Sequence, residues 1–211
     1  TPPSIQSPAT DVTVECDGAG NTGDLAAWLA SNGGAGIALD ECGGVSWSNN
    51  FTGLGMTCAG SGAVEVIFTA TDDCGNASTT MAMFTIEDTT APTLTIASSD
   101  STVECDGAGN PVALYNWLQA NGGAAAEELC GSTTWSHDFS GTFSFDGATP
   151  SGYGFGTSDP GVTDLLTCTT SYEVTFTASD NCGNTVSSTS TFTIEDTTDP
   201  VALAISTFEV S

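Results

Sequence analysis

"EVIFTATDDCGNASTTMAMFTIEDTT", residues 65–90, decides the fold. Val64, Val66, Phe68 and Ala70 alternate with Glu65, Ile67, Thr69 and Thr71. That period of two places apolar side chains on one face of a strand and polar ones on the other. A Cys-Gly-Asn turn follows, and then Ala82, Phe84 and Ile86 resume the alternation. The stretch reads as a β-hairpin. It returns as "EVTFTASDNCGNTVSSTSTFTIEDTT" at 173–198, with Tyr172, Val174, Phe176 and Ala178 in the first arm and Ser190, Phe192 and Ile194 in the second.

The repeat extends outward from the hairpin. "DVTVECDGAGN" (11–21) matches "DSTVECDGAGN" (100–110), and "LAAWLASNGG" (25–34) matches "LYNWLQANGG" (114–123). "CGGVSWSNNFTG" (42–53) matches "CGSTTWSHDFSG" (130–141). The units are roughly 90 and 110 residues long, the scale of small β-sandwich domains. The boundaries expected are 1–90, which opens inside a linker, 91–199, and the start of a third repeat at 200–211. Residues 142–167 form an insertion where the first unit has four residues between Gly53 and Cys58. Its Phe143, Phe145, Tyr153 and Phe155 are a candidate ligand platform.

Val12, Val14 and Cys16 mark an early strand, and Trp47 and Trp135 sit on others. One short helix per unit interrupts the β pattern. Leu25, Trp28 and Leu29 have i, i+3, i+4 spacing, and Asn32-Gly33 stops the helix. The second copy has Asn110 as N-cap, Pro111 in the first turn, and Leu114, Trp117 and Leu118 as the stripe. The tryptophans read as core. The fold class expected is mostly β: tandem immunoglobulin-like sandwiches, each with one short helix and two disulfides.

Composition narrows function. Of 211 residues, 26 are acidic, one is His and none is Lys or Arg, for a net charge of −26. Phosphate neutralisation requires cations, so nucleic acid is excluded as a partner. An anionic membrane would repel the chain, and no apolar run is long enough for a membrane span. Side-chain salt bridges with Lys or Arg and Lys–Asn isopeptide crosslinks are impossible. Eight cysteines in equivalent places, without CxxC or CxxH, point to disulfides in an oxidising setting rather than zinc. Cys58 and Cys74 flank a strand of roughly 30 Å, whereas bridged Cα atoms lie within about 7 Å. Within a repeat, two pairings remain. An immunoglobulin-like layout prefers Cys16–Cys58 with Cys42–Cys74, and Cys105–Cys168 with Cys130–Cys182.

The acidic string at 86–92 and 194–200 closes each hairpin. End-to-end sandwiches would bring Glu87 and Asp88 near Asp180, Asn181 and Asn184, with Asp100 close by. These are hard oxygen donors, of which Ca²⁺ takes six to eight. Asp11, Asp72, Asp73 and Asn76 would form the same site for a preceding unit, and Glu195, Asp196 and Asp199 for a following one. The bland reading is that the turns are good Asx turns and the acids a solvated surface. His137 lies in a Ser-His-Asp run along one strand, which is not how triads assemble, so no catalytic residue is assigned.

"TVECDGAGN…WLASNGG…CGG…WSNNFTG…VIFTATDDCGN…FTIEDTTAP" resembles the repeats of giant surface adhesins of gliding Bacteroidota, of the SprB type. It resembles HYR and bacterial Ig-like modules more distantly. The resemblance implies a cell-surface, extracellular stalk delivered by type IX secretion. Its partners would be neighbouring repeats and surface polysaccharide or substratum. It also implies calcium at Asp88, Asp180 and Asn184, and O-glycosylation at Thr89, Ser101 and Thr197. The rival function is a carbohydrate-binding accessory module of a secreted hydrolase.

Overall fold

The computed structural model describes residues 1–36, 38–40, 43–58, 60–106, 110–141 and 169–199. Cys42, Cys168, the insertion with Phe143, Phe145, Tyr153 and Phe155, and residues 200–211 lie outside the described residues.

The hairpin is the centre of the first sheet. β6 (Gly62–Asp72) and β7 (Ala77–Glu87) pair antiparallel from Gly62↔Ile86 to Thr71↔Ala77. β4 (Val45–Asn49) joins β6 antiparallel, and β2 (Val12–Glu15) joins β7 in parallel. The order is β2-β7-β6-β4, with β5 (Gly55–Met56) also on β6. A first strand lying parallel to the last, beside a C-F-G-like hairpin sheet, is an immunoglobulin-like arrangement. The second sheet repeats it: β9 (Ser101–Glu104), β13 (Thr185–Glu195), β12 (Thr170–Ser179) and β11 (Thr134–His137), with β9 parallel to β13. The fold is mostly β.

The opposite layer departs from a full second sheet. Among the described residues it holds two-stranded pairs, β1 (Ser4–Ile5) with β3 (Ala38–Leu39) and β8 (Thr93–Ile96) with β10 (Ala125–Glu127). Helices α1 (Thr22–Ala30) and α2 (Pro111–Gln119) supply the remaining cover. Trp28 stacks edge-on to Phe68 at 5.2 Å and lies 5.4 Å from Phe84, while Trp117 meets Phe176 at 5.0 Å and Phe192 at 5.5 Å. The indole N–H groups donate to Thr10 O and Ser99 O, so burial leaves neither unsatisfied. The 3-10 turn after each helix comes close enough to the sheet to require glycine. A Cβ on Gly33 (φ +68°) would stand 2.7 Å from the Phe68 ring, and one on Gly122 (φ +63°) 2.8 Å from Phe176.

Asn110 holds the N-cap position, but its side chain makes no cap bond, and Asn21 is the same. Both residues are left-handed (φ 52° and 49°) and turn their amides back to the strand, onto Glu104 O and Glu15 O at 2.8 Å. Bonding to the strand replaces capping of the helix.

The chain forms two compact units. One comprises Thr1–Thr95 with Ala126–Trp135 and Thr177–Ser187, and the other comprises Ile96–Ala125, Ser136–Phe176 and Ser188–Ser211. The first unit's core is built on Val66, Phe68, Phe84, Ile86 and Trp28, and Cys130 belongs to it. In the second, Leu114, Leu118, Phe176 and Phe192 are fully buried or nearly so.

Candidate functional site

Within the first compact unit, segments 126–135 and 177–187 meet the end of the first sheet. The sequence expectation of Cys16–Cys58 and Cys130–Cys182 is corrected here. The disulfides run crosswise, Cys16–Cys130 and Cys58–Cys182, with Cα separations of 6.2 and 5.5 Å. The reason is positional. Cys16 and Cys58 lie at the end of the first repeat, where the turn loops carrying Cys130 and Cys182 are packed. Cys74 and Cys105 are also disulfide-bonded. The partners expected for them, Cys42 and Cys168, are outside the described residues.

How the acidic string survives without a basic partner is now visible. Glu15, the last residue of β2, accepts three short hydrogen bonds: Thr89 N–H at 2.8 Å, Thr89 Oγ1–H at 2.9 Å and Thr90 Oγ1–H at 2.8 Å. Glu104 accepts the same three from Thr197 and Thr198, at 2.9, 2.7 and 2.8 Å. These bonds hold both carboxyls below the usual range, with the Thr89 amide leading for Glu15 and the Thr197 hydroxyl for Glu104. Two threonines do the work of a missing arginine. They also occupy the hydroxyls of Thr89 and Thr197, two of the candidate glycosylation positions, while Ser101 is half-buried on β9.

The facing turn is equally self-contained. Asp180 Oδ1 accepts the amides of Cys182, Gly183 and Asn184, and Oδ2 accepts Asn184 Nδ2–H at 2.8 Å. Burial opposes ionisation of Asp180, but the Asn184 side chain and these amides outweigh it and lower its pKa. Asp72 and Asn76 repeat the geometry. Asn184 Nδ2–H also donates to Asp88 O at 3.0 Å, tying the turn to the string.

Asp88 is the exception among these acids. It is 8% exposed, its Oδ1 accepts Thr90 N–H at 3.3 Å, and its Oδ2 is buried without a partner. Burial, with the nearby charges of Asp180, Glu128 and Glu15, pushes its pKa up. Glu128 Oε2 is likewise buried and unpartnered, while its Oε1 accepts the amides of Leu129 and Cys130. A cavity of 380 Å³, lined by Asp88, Ser61, Cys58 and Cys182 among others, opens beside Asp88.

The structure thus joins Asp88, Asp180 and Asn184 in one place. Asn181 Oδ1 accepts Ser132 N–H, and Asp73 Oδ2 accepts Gly44 N–H in the first copy. Asp11 and Asp100 spend an oxygen on the amides of Met83 and Thr191, partway along β7 and β13. Glu87, Glu195 and Asp196 are exposed. Among the described residues no group of three or more His, Cys, Asp or Glu side chains is placed to hold a metal ion. The oxygens suited to a cation are the orphaned ones of Asp88 and Glu128. Sequence reasoning passed over Glu15, Glu104 and Glu128. The signal for the first two was the repeated "TVEC" standing beside each "EDTT" in a parallel pair.

No family model matches the chain, and no curated protein matches it. Solved structures do. Drosophila N-cadherin EC1-4 aligns at 9% identity and TM-score 0.32, covering 93% of this chain and 50% of that one. Mouse clustered PcdhgC3 EC1-3 aligns at 11% identity and TM-score 0.27, covering 93% and 68%. Human CDH23 EC21-23 aligns at 14% identity and TM-score 0.25, covering 63% and 43%. This chain spans half the length of the N-cadherin fragment.

Proposed function

We propose that this chain is a structural stalk segment of an extracellular adhesin filament serving surface adhesion or gliding motility. Its repeats would be 1–90, 91–199 and a third from 200, carried to the cell surface by type IX secretion. The observation that carries the reading is the crosswise pair of disulfides. They fasten the end of one sequence repeat to the turn loops of the next, which suits a chain that carries load along its length. Disulfides persist outside the reducing cytosol, which supports an extracellular setting. Force would then pass through sulfur bridges and the Thr–Glu clamp rather than through a bare linker.

Calcium is part of the proposal. Asp88 and Glu128 would hold it, with Glu15 and Asp180 adding negative potential nearby. The cation would neutralise a buried carboxylate that otherwise has no counter-charge. The fit is in charge and free lone pairs. Asp180 and Asn184 contribute less than the sequence suggests, because their side chains already satisfy the turn.

Single-molecule pulling tests the stalk reading. The Cys58–Cys182 bridge has a sequence separation of 124, so reduction should lengthen the fully extended chain by roughly 400 Å, at about 3.3 Å per residue. Equal contour lengths before and after reduction would remove the load-bearing role. Thermal unfolding with millimolar Ca²⁺ or chelator tests the metal. A higher Tm with Ca²⁺, lost in Asp88→Asn, is expected.

A further inference from the structure

The two bridges of the first compact unit are not equally sheltered. Cys16 and Cys130 are 6% and 3% exposed and belong to the apolar core. Gly60 (φ +95°) lies so tightly against the first of them that a Cβ there would stand 2.9 Å from Cys16 Sγ. Cys58 and Cys182 are both half-buried, and both line the 380 Å³ cavity. The cavity wall also carries Ser61, which is buried and whose Oγ–H donates to Cys182 Sγ at 3.7 Å. A bridged sulfur has no hydrogen of its own, so the hydroxyl is the donor. Glu87 and Asp88 stand on the same wall, and the chain has no Lys or Arg to offset them.

We infer that Cys58–Cys182 is a thiol-exchange site whose substrate is a small, positively charged aminothiol. Exchange needs a thiolate to reach sulfur, so an accessible bridge is the labile one. The Ser61 hydroxyl decides which sulfur leaves. A hydrogen bond to a thiolate stabilises it, and the better-stabilised thiolate leaves faster. The incoming thiolate therefore bonds to Cys58 Sγ, the S–S bond breaks, and its electron pair goes to Cys182 Sγ beside Ser61. Cys58 ends in a mixed disulfide and Cys182 as a thiolate, while the aminothiol's own proton goes to solvent. One S–S bond breaks and one forms, so no oxidant or reductant is consumed. The two carboxylates select the reagent, attracting an ammonium head and repelling a second anion. Cys16–Cys130 stays closed, so the unit keeps one fastening while the other is exchanged. The inference rests on the pairing that carries the stalk reading.

The test gives the oxidised full chain, in chelator, less than one equivalent of cysteamine and stops the reaction with N-ethylmaleimide. Each chain then reacts at most once, and peptide masses place the adducts. The expected result is cysteamine on the Cys58 peptide and maleimide on the Cys182 peptide, with Cys16–Cys130 attacked at least about tenfold more slowly. Mercaptoethanesulfonate, of opposite charge, should react about tenfold more slowly than cysteamine per thiolate at low salt, with the gap narrowing as salt rises. Ser61→Ala should slow exchange about two- to fivefold. First adducts on Cys16 or Cys130, cysteamine on Cys182 in place of Cys58, equal rates for the two thiols, or a Ser61→Ala chain that exchanges at an unchanged rate would overturn the inference. Failure of the stalk reading looks different. The Cys58–Cys182 bridge would then be missing from the oxidised chain before any thiol is added, whereas a bridge that is present and inert sinks this inference alone.

Discussion

Asp88 to Thr90 and Asp196 to Thr198 are the same three residues in the same local structure, and all four threonines are exposed, yet Asp88 is buried and Asp196 is open. Each threonine pair clamps a glutamate with three hydrogen bonds of nearly equal length. The clamp therefore does not depend on cover. It is a local consequence of a glutamate ending β2 or β9 beside the last strand, in parallel register. Cover changes one thing, the solvation of the aspartate. Asp88 loses water and gains no partner for Oδ2, and its pKa rises.

The largest expected effect on this comparison is loss of the bridges. Cys16→Ser with Cys130→Ser, or Cys58→Ser with Cys182→Ser, removes a crosslink spanning 114 or 124 residues. Each should cost about 2–5 kcal/mol by thermal or denaturant unfolding, and should expose Asp88 to the degree of Asp196, read as faster hydrogen exchange at Thr90.

Next comes Gly18→Ala. Gly18 has φ +73°, and a Cβ there would stand 2.7 Å from the Leu129 carbonyl oxygen. A backbone atom cannot rotate away, so about 1–3 kcal/mol should be lost.

Asp88→Asn tests the covered site by pH. Asp88 has a folded-state pKa raised above the ordinary 3.8, so its ionisation destabilises the folded chain. That cost is absent at pH well below 3.8, grows as pH rises from there through the raised value, and is constant above it. In chelator, Asp88→Asn should therefore raise Tm at neutral pH and leave it unchanged at low pH. Saturating Ca²⁺ should reverse the sign for Asp88→Asn. The lowered carboxyls of Glu15 and Glu104 act oppositely: their stabilisation is present above the ordinary 4.5 and is lost as pH falls through the lowered values.

The smallest effect should be the most symmetric. Thr89→Val and Thr197→Val each remove one hydroxyl donor and should each cost about 0.5–1.5 kcal/mol. A clear inequality between them would show that cover does affect the clamp.

The hairpins, helices and core tryptophans were legible because they follow from local periodicity. Val66, Phe68, Phe84 and Ile86 announce a buried strand face whatever lies beyond it. The disulfide pairing is not legible, because strand length limits only the cysteines that flank one strand and says nothing about a bridge between repeats. Cys58 and Cys182 are far apart in sequence, and no spacing rule connects them. The acidic string reads as a junction with a metal in it, and the structure adds what the sequence leaves out, the hydrogen bonds its neighbours already make. Asp180 and Asn184 read as metal donors from composition, yet their oxygens and amide complete an Asx turn. Glu128, with a buried free oxygen, has an acidic first-copy counterpart in Asp40, two residues before the equivalent cysteine, but the one-residue difference in loop length between the copies hides it.

Disulfide mapping of the oxidised chain tests the central claim most directly. The chain has no Lys or Arg, so a glutamate-specific protease followed by chymotrypsin, which also cuts between Cys42 and Cys58 and between Cys130 and Cys168, would generate the peptides. The account predicts that the Cys16 peptide is joined to the Cys130 peptide and the Cys58 peptide to the Cys182 peptide. Recovery of Cys16 joined to Cys58, and Cys130 to Cys182, would contradict it.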